Sequence, residues 1–528
     1  MSEIVNDTST NEEDVSTAPF TSSKPPVNNR AKYSFGRKVI MIPLNEESVN
    51  EITIQRYLPY ILRLHAYNKA DCIRFDKIYR GNTHIFDKIR EVDTDKKNTI
   101  VSENHAFYMV EFKKGQMFGD PLKYSCVDDS VSTDDITYLN KYMTDQMKSS
   151  KDIVNGENVF KCGNSYRMVL PKTYNKIKIS DLKKDSPFTI TNLDNESTFV
   201  VYSKNFEHKK LFAGVITTMD SPEPNKTQYE ILIYSRTHTY KFRCSSLNPE
   251  WDNIDFKSKK EHFIGHIPIV EYYTNSARLG IVEIVETILD AVNDTSSDSV
   301  DNINDYVNSI LAIYNMTIDR ETKKEIDANR AISLKTTDPN RPADAKYLVN
   351  ALNQTDVMVK YEALVKVAYN IVGVPIPTTK STSGGDTGDA RELGGGWESA
   401  NIVANQHEEP LKQGERMVLE IALSICRKIP KCPVNELYPS DIAINFNRTN
   451  RNNLLSKMQS LKYLVDMDMP LETALNIVNV VSNPHEVALE WQKHKDKKQM
   501  ELQQKEEQSF NRQLELQKQS KQVTSTQE

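Results

Sequence analysis

Asp386-Thr387-Gly388 spells the turn on which an aspartic protease mounts its carboxylate. That chemistry needs apolar strand residues before the Asp, so that two buried carboxylates share one proton. Ser383-Gly384-Gly385 supplies no such wall, and a second copy would have to come from a homodimer. The same stretch, STSGGDTGDARELGGGW (381–397), holds six of the chain's 17 glycines, which raises a phosphate cradle as the next option. A P-loop needs a preceding strand and G-K-[ST]; here no GK[ST] occurs and a helical pattern precedes the loop. A dinucleotide site also needs a strand before its glycines. The third option is a mobile loop between two helices, since glycine permits the widest range of backbone conformations. Asp386, Asp389, Arg391 and Glu392 would give such a loop polar contacts. It fits the flanks best.

Elsewhere the chemistry is thin. His262 and His266, after Glu261, form an H-x-x-x-H that on a helix could hold a metal. Gly265 and Pro268 break a helix there, and Ile267 and Ile269 read as strand, so these are expected to be core or surface histidines. The six cysteines form no CxxC pair and no zinc spacing and are expected to be reduced structural thiols. Arg448 and Arg451, set among asparagines, could touch phosphate, bridge subunits or sit in a polar loop. No nucleophile–base pair stands at a convincing spacing. The expectation is a protein without catalytic residues, metal or cofactor.

The elements that must position the loop follow from periodicity. With 528 residues the chain should hold about three structural units at ~150 residues each. Residues 1–30 are Ser, Thr, Asn, Asp and Glu with Pro25-Pro26, a composition expected to stay disordered. The start lacks a basic region and apolar core, so no signal peptide is read and a cytoplasmic origin is expected. No run of ~18 apolar residues exists to span a bilayer. Helical spacing covers 50–90 and 99–113. From 160 the period changes to short β-branched and aromatic runs at 166–171, 198–203, 210–218, 229–235 and 239–244, closed by 266–273. This predicts an antiparallel meander. Helical spacing returns over 279–315, about 55 Å at ~1.5 Å per residue. A charged, proline-containing stretch at 317–350 reads as a small lobe. A helix through Val357–Val372 ends at Gly373 and Pro375, the Gly-rich loop follows, and a further helix runs from Glu398 to Lys428. A strand at 441–446, a helical block at 452–495 and an exposed Lys/Glu/Gln tail complete an α+β chain.

The long helix at 279–315 carries an unusual charge pattern. Glu283, Glu286, Asp290, Asp294, Asp298, Asp301 and Asp305 lie in a segment without Lys or Arg. The segment is −7 against −6 for the whole chain, leaving the remainder near +1. From Glu286 onward the acids step by 4, 4, 4, 3 and 4, which places them on one helix face. A solvated face usually mixes signs, because like charges at i,i+4 cost a few tenths of a kcal/mol each. The ladder therefore suggests either a cationic partner or a passage through which a polyanion slides without sticking; a basic lining would hold phosphates.

The order of these segments resembles a known family. NHAFYMVEFKKGQMFGDPLKY (104–124), CGNSYRMVLP (162–171), TFVVYS (198–203), IPIVEYYTNSARLG (267–280), the acidic helix, LNQTDV (352–357), GGDTGDARELGGGW (384–397) and FNRTNRNN (446–453) together resemble the portal proteins of tailed bacteriophages, siphophage type. The likeness covers roughly 35–490 and rests on order, since no motif is catalytic. One departure is Gly394-Gly395, where the resemblance would place a charged pair before Gly396-Trp397. The resemblance implies a ring of about twelve subunits, closed head to tail. It implies an arm at 1–30, a wing at 31–276, stem helices at 277–316 and 354–375, a clip at 317–353 and a tunnel loop at 376–396. A tunnel helix and return to the wing would occupy 397–451, a helical crown 452–495 and a tail 496–528. Double-stranded DNA would pass through the channel. Partners would be the terminase large subunit, major capsid and scaffolding proteins and head-completion or adaptor proteins, with no membrane. The place would be the capsid's portal vertex, after assembly in the host cytoplasm. Lys380, Gly384, Gly385, Asp386, Thr387, Gly388, Asp389 and Arg391 would face DNA, and Glu286, Asp290, Asp294, Asp298, Asp301 and Asp305 would form an acidic channel face. The alternative is a non-catalytic scaffold or adaptor that binds cationic partners through the acidic helix.

Overall fold

The computed structural model describes residues 36–524 apart from 89–98, 128–132, 173–181, 184, 220–227, 251–252, 308–309, 315–343, 349–353, 377–395, 447–453, 479 and 482–483. The chain divides into Met1–Phe35, which lies outside the described residues together with the arm expected at 1–30, and Gly36–Glu528.

Helix α1 (Glu51–Tyr79) starts where Asn50 accepts the amides of Ile52 and Thr53 and Thr53 answers with a reciprocal cap. Its stripe of Ile54, Leu58, Ile61 and Leu62 is buried against a six-stranded sheet. That sheet is ordered β1-β5-β6-β7-β8-β9. Its strands are β1 (Ile40–Ile42), β5 (Thr198–Ser203), β6 (Lys210–Met219), β7 (Gln228–Tyr234), β8 (His238–Cys244) and β9 (Asp255–Glu261). Four of the runs expected from alternation form the meander β5 to β8; β9, which no expected run covered, extends it, and β1 joins in parallel with Ile40 opposite Val201. The runs at 166–171 and 266–273 do not belong to the meander. They are β3 (Asn164–Pro171) and β10 (Ile269–Tyr273), paired in a second sheet with β4 (Phe188–Leu193) on the other side of β3.

Around that second sheet lies the larger core, built by α2 (His105–Phe118), α3 (Thr133–Asp145), α4 (Lys148–Cys162), α5 (Ile281–Val307), α6 (Gln354–Ile371) and α7 (Trp397–Arg427). Helices α3 and α4 have no counterpart in the periodicity reading. The strand at 441–446 is β13 (Ile442–Asn445), which pairs with β2 (Lys123–Cys126) across more than 300 residues.

Four boundaries differ from expectation. Helical spacing expected to reach 90 ends at Tyr79, and the helix expected at 99–113 runs from His105 to Phe118. The helix expected to reach 315 ends at Val307, and Ile310–Tyr314 is strand β11, paired with β12 (Asp344–Leu348). Its β-branched and aromatic residues suit a strand once a partner exists, and that partner lies 30 residues on in sequence. After α8 (Leu454–Asp466) and α9 (Leu471–Val478), helix α10 (Pro484–Thr524) runs without a break through the boundary placed at 495–496. No helix among the described residues is long and apolar enough to cross a membrane.

Candidate functional site

The acidic ladder and the loop feet meet the same core, and the structure gives each a different outcome. On α5, Glu283 is buried and accepts the Gly36 amide at 2.9 Å and an Arg37 Nη2 hydrogen bond at 2.7 Å. Glu286, expected on the open acidic face, is also buried, and Arg74 of α1 donates to both its oxygens at 2.8–2.9 Å. Asp294 pairs with Lys88, and Asp301 accepts the Thr99 amide at 2.9 Å. Asp290, Asp294 and Asp301 are half-buried and Asp298 is exposed; the side chain of Asp305 lies outside the described ones. The ladder is therefore not a uniformly bare face. Cations missing from the helix itself arrive from α1 (Arg74), from the segment before it (Arg37) and from the segment after it (Lys88), which offsets part of the i,i+4 repulsion.

Helix α6 is tied to α5 through one carboxylate. Ser296 of α5 and Tyr361 of α6 both donate hydroxyl hydrogen bonds to Glu103, whose amide donates to Asn293 at 2.8 Å. His105 Nε2 stands 2.9 Å from the same carboxylate, and its Nδ1 is 3.0 Å from the Tyr369 hydroxyl. A neutral ring with its proton on Nε2 satisfies both. Burial pushes the Glu103 carboxyl up, but the hydroxyls and His105 outweigh it and hold the group below its ordinary range. Burial also pushes the Tyr369 phenol up to about 12.

The two feet of the Gly-rich loop stand together. Past α6, Gly373 takes the left-handed region at φ 62°, with amides of Gly373 and Val374 closing on Asn370 and Tyr369. Gly396 precedes α7 at φ 81°, and a Cβ there would stand 3.9 Å from Pro375 Cα. Trp397, the first residue of α7, packs on Phe112 with ring centroids 5.6 Å apart. Lys380, Gly384, Gly385, Asp386, Thr387, Gly388, Asp389 and Arg391 lie outside the described residues, as do Arg448 and Arg451. His262 Nε2 donates to the Ser235 carbonyl at 3.1 Å, and His266 faces Glu420 at 3.8 Å.

What holds α7 behind the loop was not legible in sequence. Glu415, 1% exposed, accepts from Tyr272 at 2.8 Å and from Arg167 and Tyr124 at 3.1 Å, and pairs with Lys148 at 3.1 Å. Asp152 closes the cluster on Lys148 at 2.7 Å and Arg167 at 2.8 Å. Two cations and two anions thus sit neutral in the core, the only state in which buried charges persist cheaply. Burial pushes the Glu415 carboxyl up, but Lys148 and Arg167 hold it below the carboxylate range. Beside it, Gly414 lets α7 lie on the Tyr272 ring: a Cβ would be 2.6 Å from Cδ1. The one available signal was an acid and a glycine inside the apolar stripe of a predicted helix.

A family model described as "Phage portal protein, SPP1 Gp6-like" matches residues 59–501. Among solved structures, a chain from the virion of a native gene transfer agent particle is 10% identical, with 71% of this chain and 90% of that one covered at a TM-score of 0.40. No curated protein matches.

Proposed function

Because the chain belongs to the SPP1 Gp6-like family of phage portal proteins, we propose that about twelve copies close head to tail into a ring at one capsid vertex and that double-stranded DNA passes through its centre. The family match over residues 59–501 carries this reading. Portal proteins form a structural family, so the work of moving DNA belongs to a partner, the terminase large subunit, docked on the clip at 317–353. The same clip later takes head-completion or adaptor proteins. The wing, 31–276, and the crown, 452–495, face the major capsid and scaffolding proteins.

Helices α5 and α6 are the stem. The loop at 376–396 projects from their end toward the duplex. Its paired feet at Pro375 and Gly396 support a segment anchored at one place and free to follow a moving helix. Lys380, Asp386, Thr387, Asp389 and Arg391 make its transient contacts. Asp290, Asp298 and Asp301, with Asp305, give the wall its negative sign, so phosphates are repelled rather than held, while Asp294 is balanced by Lys88. Glu286 is not in that wall, being buried on Arg74.

The test is the native mass of the purified protein, with negative-stain images of the same sample. At 60.5 kDa per chain, a ring of about twelve weighs roughly 730 kDa and shows a central hole. A stable monomer at every concentration, alone and with capsid and scaffolding protein present, overturns the reading.

A further inference from the structure

The side of α6 turned away from the core is apolar. Val359 is 62%, Val367 47% and Ile371 53% exposed, and with exposed Ala363 they form a line at i, i+4, i+8 and i+12. Opposite them, Ala368, Tyr369 and Val372 fill the core. Lys360, which makes no ion pair among the described residues, and Lys366 flank the line. A monomer has no reason to show solvent such a stripe on a helix whose other side is already packed.

The outward side of α5 offers a matching strip: Ile284, Ala291, Thr295 and, at its far end, exposed Asp298, with half-buried Ile288, which also packs on the core, along its edge. Relative heights follow from two ties. The Glu103 carboxylate binds Ser296 and Tyr361 together, so these residues stand level. The antiparallel ladder that sets Ile310 opposite Leu348 brings the end of α5 beside the start of α6, so the helices run in opposite directions. At ~1.5 Å per residue, Val367 is then level with Asp290–Ala291 and Ala363 with Asp294–Thr295. Ile371 falls level with Glu286–Thr287, one position from Ile288, and Lys360 with Ser297–Asp298. A rotation about an axis along the helix pair preserves these heights.

We propose that the apolar line of α6 seats the outward strip of α5 from the next copy of this chain. Val367 packs on Ala291, Ala363 on Thr295 and Ile371 on Ile288, and Lys360 pairs with Asp298. The inference rests on the ring reading and refines it, because Asp298 moves from the channel wall into the joint between subunits. Charge complementarity and the shared heights select a second copy over any other occupant.

The double variant Ala291→Cys/Val367→Cys, treated with a short bismaleimide, is expected to give a ladder of covalent multimers on denaturing gels, which neither single variant gives. Lys360→Asp is expected to lower the ring fraction at a given concentration, and Asp298→Lys added to it to restore the ring. Circular dichroism melts of each variant verify that the monomer fold is kept. Rings that form normally but do not cross-link, and that ignore Lys360→Asp, overturn this joint and leave the ring standing. Unaltered protein that never forms a ring removes the ring reading and this joint with it.

Discussion

Glu415 shows what a single buried charge does in this chain. Its carboxylate is shared by Arg167, Lys148, Tyr272 and Tyr124, which reach it from β3, α4, β10 and β2. Such a cluster adds little net stability as a set, but removing one member strands the others. Glu415→Ala would leave Arg167, fully buried, and Lys148 with Asp152 alone. The expected loss is about 3–5 kcal/mol in denaturant unfolding. The control is Lys360→Asp, at an exposed site, where monomer stability should move by less than about 0.5 kcal/mol. If Glu415→Ala is equally mild, the cluster does not anchor α7. Arg278 with Glu271 is a second buried pair of this kind, with bonds of 2.7 and 3.0 Å.

Glycines on helices separate packing from propensity at the scale of the element. Within α7, Gly414 faces the Tyr272 ring so closely that any Cβ must displace it. In α2, Gly115 is exposed and a Cβ would meet nothing within 4 Å. Gly115→Ala is expected to stabilise by up to about 1 kcal/mol, the helix-propensity difference alone. Gly414→Val is expected to destabilise by about 1–3 kcal/mol, since overpacking outweighs propensity and also tilts the hydroxyl that Glu415 uses. Thermal melts of the two variants should move in opposite directions; a shared sign would mean that α7 does not rest on β10 as described. The end of α5 makes the related point for strands. Ile310–Tyr314 continues the helical spacing of the residues before it, yet pairs with Asp344–Leu348, because a local pattern yields to a distant partner that satisfies the backbone.

At the scale of the whole molecule, two histidines report on two cores. His65 lies under the six-stranded sheet, with Nε2 on Glu196 O at 3.0 Å; His407 packs on Phe160 in the larger core. Burial lowers each to about 4. The unfolded chain takes up these protons near 6.5, before the folded one does. Their contribution is therefore full above about 6.5 and is lost as pH falls toward 4, at roughly 1.4 kcal/mol per pH unit for each histidine. Unfolding free energies measured from pH 7 to 4 should fall along that slope, and His65→Gln with His407→Gln should flatten it; an unchanged slope would assign the loss to carboxylates. The amino-acid pattern alone determined much of this architecture. Alternation marked β5 to β8 of the meander, 3.6-residue spacing placed α1, α5, α6 and α7, and the glycines at Gly373 and Gly396 marked both loop feet, because each is a local property of the chain. Segment order also carried the portal family, which the match over residues 59–501 bears out. Only the tertiary structure decided that Glu286 is buried on Arg74, that Glu415 closes a four-charge core and that β13 pairs with β2. Those outcomes depend on residues more than 200 positions apart meeting in a low-dielectric interior, and no local spacing encodes which cation reaches which acid.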